Sequence, residues 1–368
     1  MKPKPPNLTL LHRLAWTGAA LAFGLIVLGG IVRITGSGMG CGDDWPRCKG
    51  EWFPPLDLPT LIESSHRWVA ALVSLVVVAM TIVGWRYHRH DALVRNPATL
   101  ALLLLVSQVL LGAVTVKLAL PPWVVIIHFA NAMVLLAVLI VTGLRASATH
   151  DARAAREAPP PGPLRHKAYV HVGVTAGLGF VVILFGAQVA NFDAGLLCLG
   201  FPLCNGSALP PPTPLAFLPW AHRFLAFLFL GLVLALAIRL HRRPDEPGTP
   251  LRRWTTVVLV ITMAQIALGA AMVVQLLPSW FRAAHLLAGT ALWAALVVLV
   301  FHSNRTAQPS MGAHGPSLRA GSHGTSPRTG PIAGRPTVVA DLITLTKPRI
   351  ISLLLLTTVA PMFITPAG

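Results

Sequence analysis

The chain has 368 residues, of which 54% are hydrophobic and only 11% are charged, and its mean hydropathy is +0.69. This composition excludes an ordinary soluble domain, because the apolar residues come in runs of about twenty, the length of a helix that crosses a bilayer. In lipid only helices and closed barrels satisfy every backbone polar group, and apolar runs without period-two alternation favour helices. We therefore predict an all-α integral membrane protein, with membrane lipid around it.

The formal net charge of +17 is compatible with nucleic-acid binding, but the distribution of the charge argues against such a partner. Basic residues cluster in alternate loops, as the positive-inside rule requires, whereas the loop after the first span is mainly acidic. We predict a multi-pass protein of the cell membrane with a cytoplasmic N-terminus and with loops 35–65 and 191–220 outside. The first span is expected to be retained, because no small-residue cleavage site precedes its Gly-rich exit.

Eight spans are predicted, and they form a tandem repeat. The predicted spans are about 14–34, 66–85, 98–118, 123–144, 168–190, 221–240, 254–276 and 282–302. The segment Gln108–Ala113 (Gln-Val-Leu-Leu-Gly-Ala) returns 157 residues later as Gln265–Ala270 (Gln-Ile-Ala-Leu-Gly-Ala). A repeat with an even number of spans keeps its orientation, so we predict two tandem four-helix bundles related by a pseudo-twofold axis along the membrane normal.

The repeat also divides the chain into domains. Residues 1–144 form the N-terminal half, 145–167 a cytoplasmic linker and 168–302 the C-terminal half. Residues 303–340 are rich in Gly, Ser and Pro, which predicts a disordered linker. Residues 341–368 become apolar again and give a candidate ninth span, which has no counterpart in the repeat.

Four histidines recur at equivalent repeat positions near the predicted outer ends of spans that run inward. They are His66 and His222, which open spans two and six, and His128 and His285, near the starts of spans four and eight. A lone intramembrane histidine is more often a packed residue, but a repeated one is a functional hypothesis. Two imidazoles on neighbouring helices can approach one iron from opposite sides, and without further ligands they suit haem better than zinc. We predict one haem site in each half.

Charged residues accompany these histidines. Arg67 and Arg223 each follow one of them and either snorkel to the membrane interface or pair with haem propionates. Glu63 lies one helical turn before His66 and is replaced by Pro219 in the second half. It is either an acid favoured by the helix dipole or a group that takes part in chemistry at the first site. We expect a position near the outer surface to keep it ionised.

All four cysteines fall in the two predicted outer loops, where disulfides persist. The short spacings suit one local bridge in each loop, Cys41–Cys48 and Cys198–Cys204. Each bridge is either a structural clip or a redox pair that exchanges electrons.

Taken together, these features resemble the haem A synthase family of cytochrome oxidase assembly enzymes. The resemblance covers about residues 10–302 and is carried by the two four-helix halves, the paired histidines, the Glu-x-x-His-Arg motif that begins at Glu63 and the cysteine pair in each loop. Gly36, Gly38 and Gly40 precede the first pair as in the Gly-rich loop of the family. The resemblance implies oxidation of a methyl group of haem O to the formyl group of haem A through hydroxylated intermediates.

The resemblance also implies a role for each half. It assigns the substrate haem to His66 and His128, with Arg67 beside it and Glu63 as the catalytic residue. It assigns a haem b cofactor, and hence iron, to the second half. The residues implied there are His222, His285 and Arg223.

The tail resembles a second family. Leu345-Thr346-Lys347-Pro348-Arg349, followed by apolar residues, is similar to the start of protohaem farnesyltransferase, which makes haem O. The chain has no Asp-x-x-x-Asp motif, which that family needs for its magnesium diphosphate site. We therefore expect no prenyltransferase activity from residues 341–368.

Two other functions fit part of the pattern. One is a non-catalytic di-haem electron carrier of the b type, and the other is a membrane thiol–disulfide oxidoreductase. The presence of Glu63 in one half alone favours the enzyme over the carrier, and the oxidoreductase leaves four histidines unexplained. The pattern leaves open whether a protohaem farnesyltransferase, an electron donor or a second copy of the chain is a partner.

Overall fold

In the computed structural model the described residues are 6–55, 57–151, 163–242 and 249–307, and eight long helices account for most of them. The helices are α1 (Pro6–Ile34), α2 (Leu58–Tyr87), α3 (Ala92–Lys117), α4 (Pro122–Asp151), α5 (Pro163–Asn191), α6 (Pro214–His241), α7 (Pro250–Val274) and α8 (Ser279–Ala307). All eight are long and apolar enough to cross a membrane. The predicted all-α, multi-pass fold is confirmed, while its orientation in the membrane stays a prediction.

Helices α2 and α6 begin about two turns earlier than the apolar runs indicated. The Asp57 side chain caps α2 by accepting a hydrogen bond from Thr60 N at 3.3 Å, and α6 begins with Pro214 directly after its N-cap residue Thr213. Hydropathy detects only the lipid-facing part of a helix, whereas capping residues and a proline in the first turn fix where the backbone begins to coil. His66 therefore lies inside its helix rather than at the opening.

The helices also narrow the predicted linkers. Helix α4 continues to Asp151 and α5 begins at Pro163, so the connection between the halves is shorter than the predicted 145–167. Helix α8 ends at Ala307. The remainder of the predicted 303–340 linker, the candidate ninth span and the farnesyltransferase-like segment lie outside the described residues.

Each half is a four-helix bundle with the same neighbours. In the first half α1 and α3 each pack against α2 and α4, and in the second half α5 and α7 each pack against α6 and α8. The halves meet where α8 contacts α1 and α4 and where α4 contacts α5. Across this junction Trp293 Nε1 donates a hydrogen bond to Met133 O at 2.8 Å. The pseudo-twofold axis between the halves stays a prediction.

The loops after α1 and α5, residues 35–55 and 192–213, lie at one end of the protein, which we call the disulfide end. An ion pair joins the last turn of α1 to the second loop, with Arg33 Nη2 3.0 Å from Asp193 Oδ1. Lys117, at the end of α3, lies 3.6 Å from Asp43 in the first loop. Helices α2, α4, α6 and α8 therefore all begin at the disulfide end.

Candidate functional site

The cysteines of each loop at the disulfide end are bridged as predicted. The Cys41–Cys48 bridge spans a Cα–Cα distance of 4.6 Å and the Cys198–Cys204 bridge one of 4.7 Å. After each second cysteine the chain reverses through two residues with positive φ, which is the geometry of a type I′ turn. These are Lys49 and Gly50 in the first loop and Asn205 and Gly206 in the second. The two loops therefore share one local fold.

The Gly-rich segment brings the first loop onto helix α2. A Cβ added to Gly40 would lie 2.5 Å from the backbone of Pro59, so only glycine permits this approach. Thr60 Oγ1 donates a hydrogen bond to Gly40 O at 2.8 Å. These contacts place the first disulfide directly beside the start of the helix that carries His66.

Arg67 and Arg223 hold the two loops in place. Arg67 Nη1 donates hydrogen bonds to the backbone oxygens of Asp44 at 2.7 Å and Arg47 at 2.6 Å. Arg223 donates to the backbone oxygens of Gly200, Leu203 and Cys198. Both guanidinium groups thus bind backbone carbonyls of the loops. The position of each arginine next to a histidine in the sequence did not indicate these contacts. Their pairing with haem propionates stays a prediction.

The sequence suggested that Glu63 lies near the outer surface. In the structure it is buried between the first disulfide loop and helix α2. Only 4% of it is exposed. One carboxylate oxygen accepts a hydrogen bond from Cys41 N at 2.8 Å, and the other lies 2.5 Å from Arg67 Nη2. A buried carboxylate needs such partners, because an unpaired one is costly. Since α2 begins at Leu58, Glu63 lies one turn before His66 on the same side of the helix.

Each of the four histidines lies against a glycine on a neighbouring helix. A Cβ added to the glycine would come within 3.0–3.4 Å of the imidazole, which is tighter than ordinary contact. The pairs are Gly29 with His66, Gly112 with His128, Gly186 with His222 and Gly269 with His285. The glycines recur at an offset of 157 residues, although the sequence pattern alone did not indicate a role for them. For Gly112 and Gly269 the sequence did contain a signal, because each follows the repeated glutamine by four residues.

The histidines are brought together in the predicted pairs. His66 lies near His128, and His285 lies near His222. His66 and His222 both lie eight residues after the first residue of their helices, roughly 12 Å along the axis. The two pairs therefore lie at similar depth near the disulfide end.

Two buried imidazole nitrogens of the paired histidines have no hydrogen-bond partner in the part of the chain that the structure describes. Nδ1 of His128 and Nδ1 of His285 are buried and have no hydrogen-bond partner among the described residues. His222 Nδ1 lies 3.1 Å from Val182 O, which leaves its Nε2 as the nitrogen for another ligand. The described residues hold no group of three or more His, Cys, Asp or Glu side chains placed to share one metal ion. Each pair accordingly offers two imidazoles and no third protein ligand of these types.

A polar network accompanies the first pair and has no full counterpart at the second. Gln108 Nε2 lies 3.1 Å from His128 Nε2, and Gln108 Oε1 accepts a hydrogen bond from Asn131 Nδ2 at 2.6 Å. In the second half the glutamine returns as Gln265, but Ala288 stands at the position of Asn131. The buried Oε1 of Gln265 has no hydrogen-bond partner among the described residues. Both glutamines belong to the sequence repeat, but the repeat alone did not connect them to the histidines.

We expect the glycine contacts to be necessary for the histidine geometry. In Gly186→Val the new side chain would displace His222, because a Cβ at residue 186 already lies 3.0 Å from the ring. Overpacking of this kind costs about 1–3 kcal/mol, so we expect clear loss of the haem signal per mole of protein in absorption spectra. Gly177→Val is the control on the same helix, since a Cβ there meets nothing within 4 Å. Equal haem content in the two variants would contradict this role.

The fold and the site define the class of the protein, a multi-pass helical membrane protein with two pairs of intramembrane histidines. The family profile described as COX15-CtaA, cytochrome oxidase assembly protein, matches residues 12–297. The chain therefore belongs to this family, the haem A synthase family, which confirms the resemblance seen in the sequence. The farnesyltransferase-like segment lies beyond the matched residues.

Individual relatives agree with this assignment. The chain is 30% identical to the heme A synthase of Geobacillus kaustophilus over 297 residues, which cover 80% of this chain and 92% of that protein. It is 31% identical to a heme A synthase of Bacillus cereus over 289 residues, covering 77% and 90%. It is 36% identical to the heme A synthase of Shouchella clausii over 218 residues, covering 58% and 70%.

Proposed function

We propose that the protein is a haem A synthase, a membrane oxidoreductase that converts a methyl group of haem O to the formyl group of haem A for cytochrome oxidase assembly. The observation that carries the proposal is the asymmetry of two otherwise similar histidine pairs. Only the first pair has a buried carboxylate one helical turn away, that of Glu63, because Pro219 stands at the equivalent position of the second half. Two sites for electron transfer alone would not need this difference.

The residues present fit a haem in each half. In the second half the buried Nδ1 of His285 has no hydrogen-bond partner among the described residues, and Nε2 of His222 is left by the contact of its Nδ1 with Val182 O, so each ring keeps a nitrogen for a ligand. In the first half His66 and His128 would hold the substrate haem. In the second half His222 and His285 would hold haem b, whose iron supplies one-electron chemistry when bound. Arg67 and Arg223 also donate hydrogen bonds to the disulfide loop beside each site.

Within this proposal the protein positions the substrate and stabilises charge. Oxidation of a methyl group on the ring edge builds positive charge nearby, and the Glu63 carboxylate would stabilise that charge electrostatically. The same carboxylate would accept a proton or orient a water molecule. Arg67 and Cys41 N keep its two oxygens in fixed positions, so little reorganisation is needed. The lipid-facing helices provide the apolar surroundings that a prenylated haem requires.

The membrane arrangement belongs to the same proposal. We place the N-terminus in the cytoplasm and the disulfide end outside, because basic residues cluster in the alternate loops. A protohaem farnesyltransferase that delivers haem O, an electron donor and a second copy of the chain are the partners that this function leaves room for. The resemblance of residues 341–368 to a farnesyltransferase is consistent with the first of these.

The pigment bound to the purified protein tests the proposal. Full-length protein from a host that makes haem O should contain haem b together with haem O or haem A, identified by extraction and chromatography. Haem b alone, at two per chain, would favour the electron carrier instead. Protein without haem, but with intact disulfides, would contradict both and favour the thiol–disulfide oxidoreductase.

A further inference from the structure

A hydrogen-bond network beside the first histidine pair determines which nitrogen of His128 is hydrogen-bonded to the protein. Asn131 Nδ2 can only donate, and it donates to Leu104 O at 3.0 Å and to Gln108 Oε1 at 2.6 Å. Gln108 must therefore present its carbonyl oxygen to Asn131 and its amide nitrogen to the imidazole. That amide nitrogen can only donate, so His128 Nε2, 3.1 Å away, accepts. The Nε2 lone pair of His128 is thus engaged by protein.

This engagement competes with a metal ligand. An imidazole binds iron through a nitrogen lone pair, and in His128 the lone pair at Nε2 is the one that Gln108 occupies. If Nδ1 bound the iron instead, the proton would have to reside on Nε2 and would face the amide hydrogens of Gln108. Either way, haem binding at His128 requires the Gln108 contact to break. The exchange involves one bond to iron and one hydrogen bond, with no change of oxidation state.

The second half lacks the residue that orients the glutamine. Ala288 and Ala264 stand where the first half has Asn131 and Ser107. Ser107 Oγ lies 3.4 Å from Asn131 Oδ1, so both residues belong to the first network. Gln265 Oε1 is buried and has no hydrogen-bond partner among the described residues. A glutamine that is not held by a donor is free to present either end of its amide.

We propose that Asn131 is a positioning residue that promotes the release of haem from the first site. It does so by orienting the Gln108 amide, which then replaces iron as the partner of His128. This inference rests on the proposed function, in which the haem of the first half enters as substrate and leaves as product. The haem of the second half stays as cofactor and needs no such competitor. The network competes with iron for His128, and therefore weakens haem binding in the first half without touching the haem.

Haem transfer to a scavenger tests the proposal. Purified full-length protein with haem in both halves is mixed with excess apomyoglobin, and the transferred pigment is identified by its spectrum. In Asn131→Ala we expect haem O or haem A to leave about 3- to 10-fold more slowly, because one neutral hydrogen bond contributes roughly that factor. The rate of release is the sensitive quantity, because Gln108 engages Nε2 of His128 as the iron leaves. Asn191→Ala, at the end of α5, is the control and should leave release unchanged.

A second variant separates this mechanism from structural damage. Gln108→Met removes the competing amide at similar size, and we expect the same slowing. The double variant should be no slower than either single variant, because both remove one interaction. Unchanged or faster release in both single variants would overturn the proposal while haem A synthesis itself remained intact. Absence of haem from the wild-type first half would instead contradict the proposed function.

Discussion

In His222→Ala and in His285→Ala, the haem b spectrum is expected to be lost while the protein still inserts into the membrane. The two imidazoles lie near each other on α6 and α8, and each packs against a glycine of an adjacent helix. His222 Nδ1 also contacts Val182 O, which orients the ring. Removing either imidazole would take away one of the two side chains proposed to hold haem b. The measurement is the reduced-minus-oxidised absorption of purified protein, expressed per mole of chain.

A histidine outside the pairs provides the control. His171 on α5 contacts Leu232 O through Nε2 at 3.2 Å, and Leu14 stands at its repeat position in the first half. His171→Ala should therefore keep the full haem b complement. A full complement in both His222→Ala and His285→Ala would show that the second pair does not hold the cofactor.

In Glu63→Gln, haem A production is expected to fall by about 10²–10³-fold, with haem O or a hydroxylated product accumulating, while both halves still bind haem. This is the typical effect of losing one electrostatic or general-base group. Glutamine keeps the size of the side chain and can still accept the hydrogen bond from Cys41 N. It cannot keep the charged contact with Arg67, which remains anchored to the loop carbonyls of Asp44 and Arg47. The measurement is chromatography of haems extracted from membranes.

The control for Glu63→Gln is a substitution of Asp57, a carboxylate of the same region that lies outside the proposed site. Asp57 is exposed and caps α2, and hydrogen bonds from Thr60 and Lys49 hold its pKa below the usual value. Asp57→Asn retains a good N-cap residue and should leave the haem A yield near that of the wild type. Thiol labelling of both variants reports whether the first disulfide is intact. If Glu63→Gln gave the wild-type yield of haem A, the role of Glu63 would be only to anchor the first disulfide loop.

The sequence predicted the parts of this protein that depend on composition and on repetition. Apolar runs determine the eight helices because lipid admits no unsatisfied backbone. The matched depth of His66 and His222 followed from the repeat alone, and the disulfides followed from short spacings in loops. These features need no knowledge of which side chains meet.

The contacts around the histidines required the structure. That Arg67 binds loop carbonyls, and that Glu63 is buried against Cys41, depends on how loop 35–55 folds over α2, which no periodicity describes. The contact of Gln108 with His128 joins α3 to α4 through side chains whose rotamers the sequence does not specify. The sequence pattern identified these positions, and the packing of the loop and of the helices decided their partners.

The conversion of haem O to haem A by this chain is the most direct test of the proposed function. The full-length protein is expressed in a host that makes haem O but no haem A, and haems extracted from its membranes are separated by chromatography. The proposal predicts that haem A appears with the wild-type chain and is lost in His222→Ala. Haem O unchanged in the presence of inserted, haem-loaded wild-type protein would contradict it.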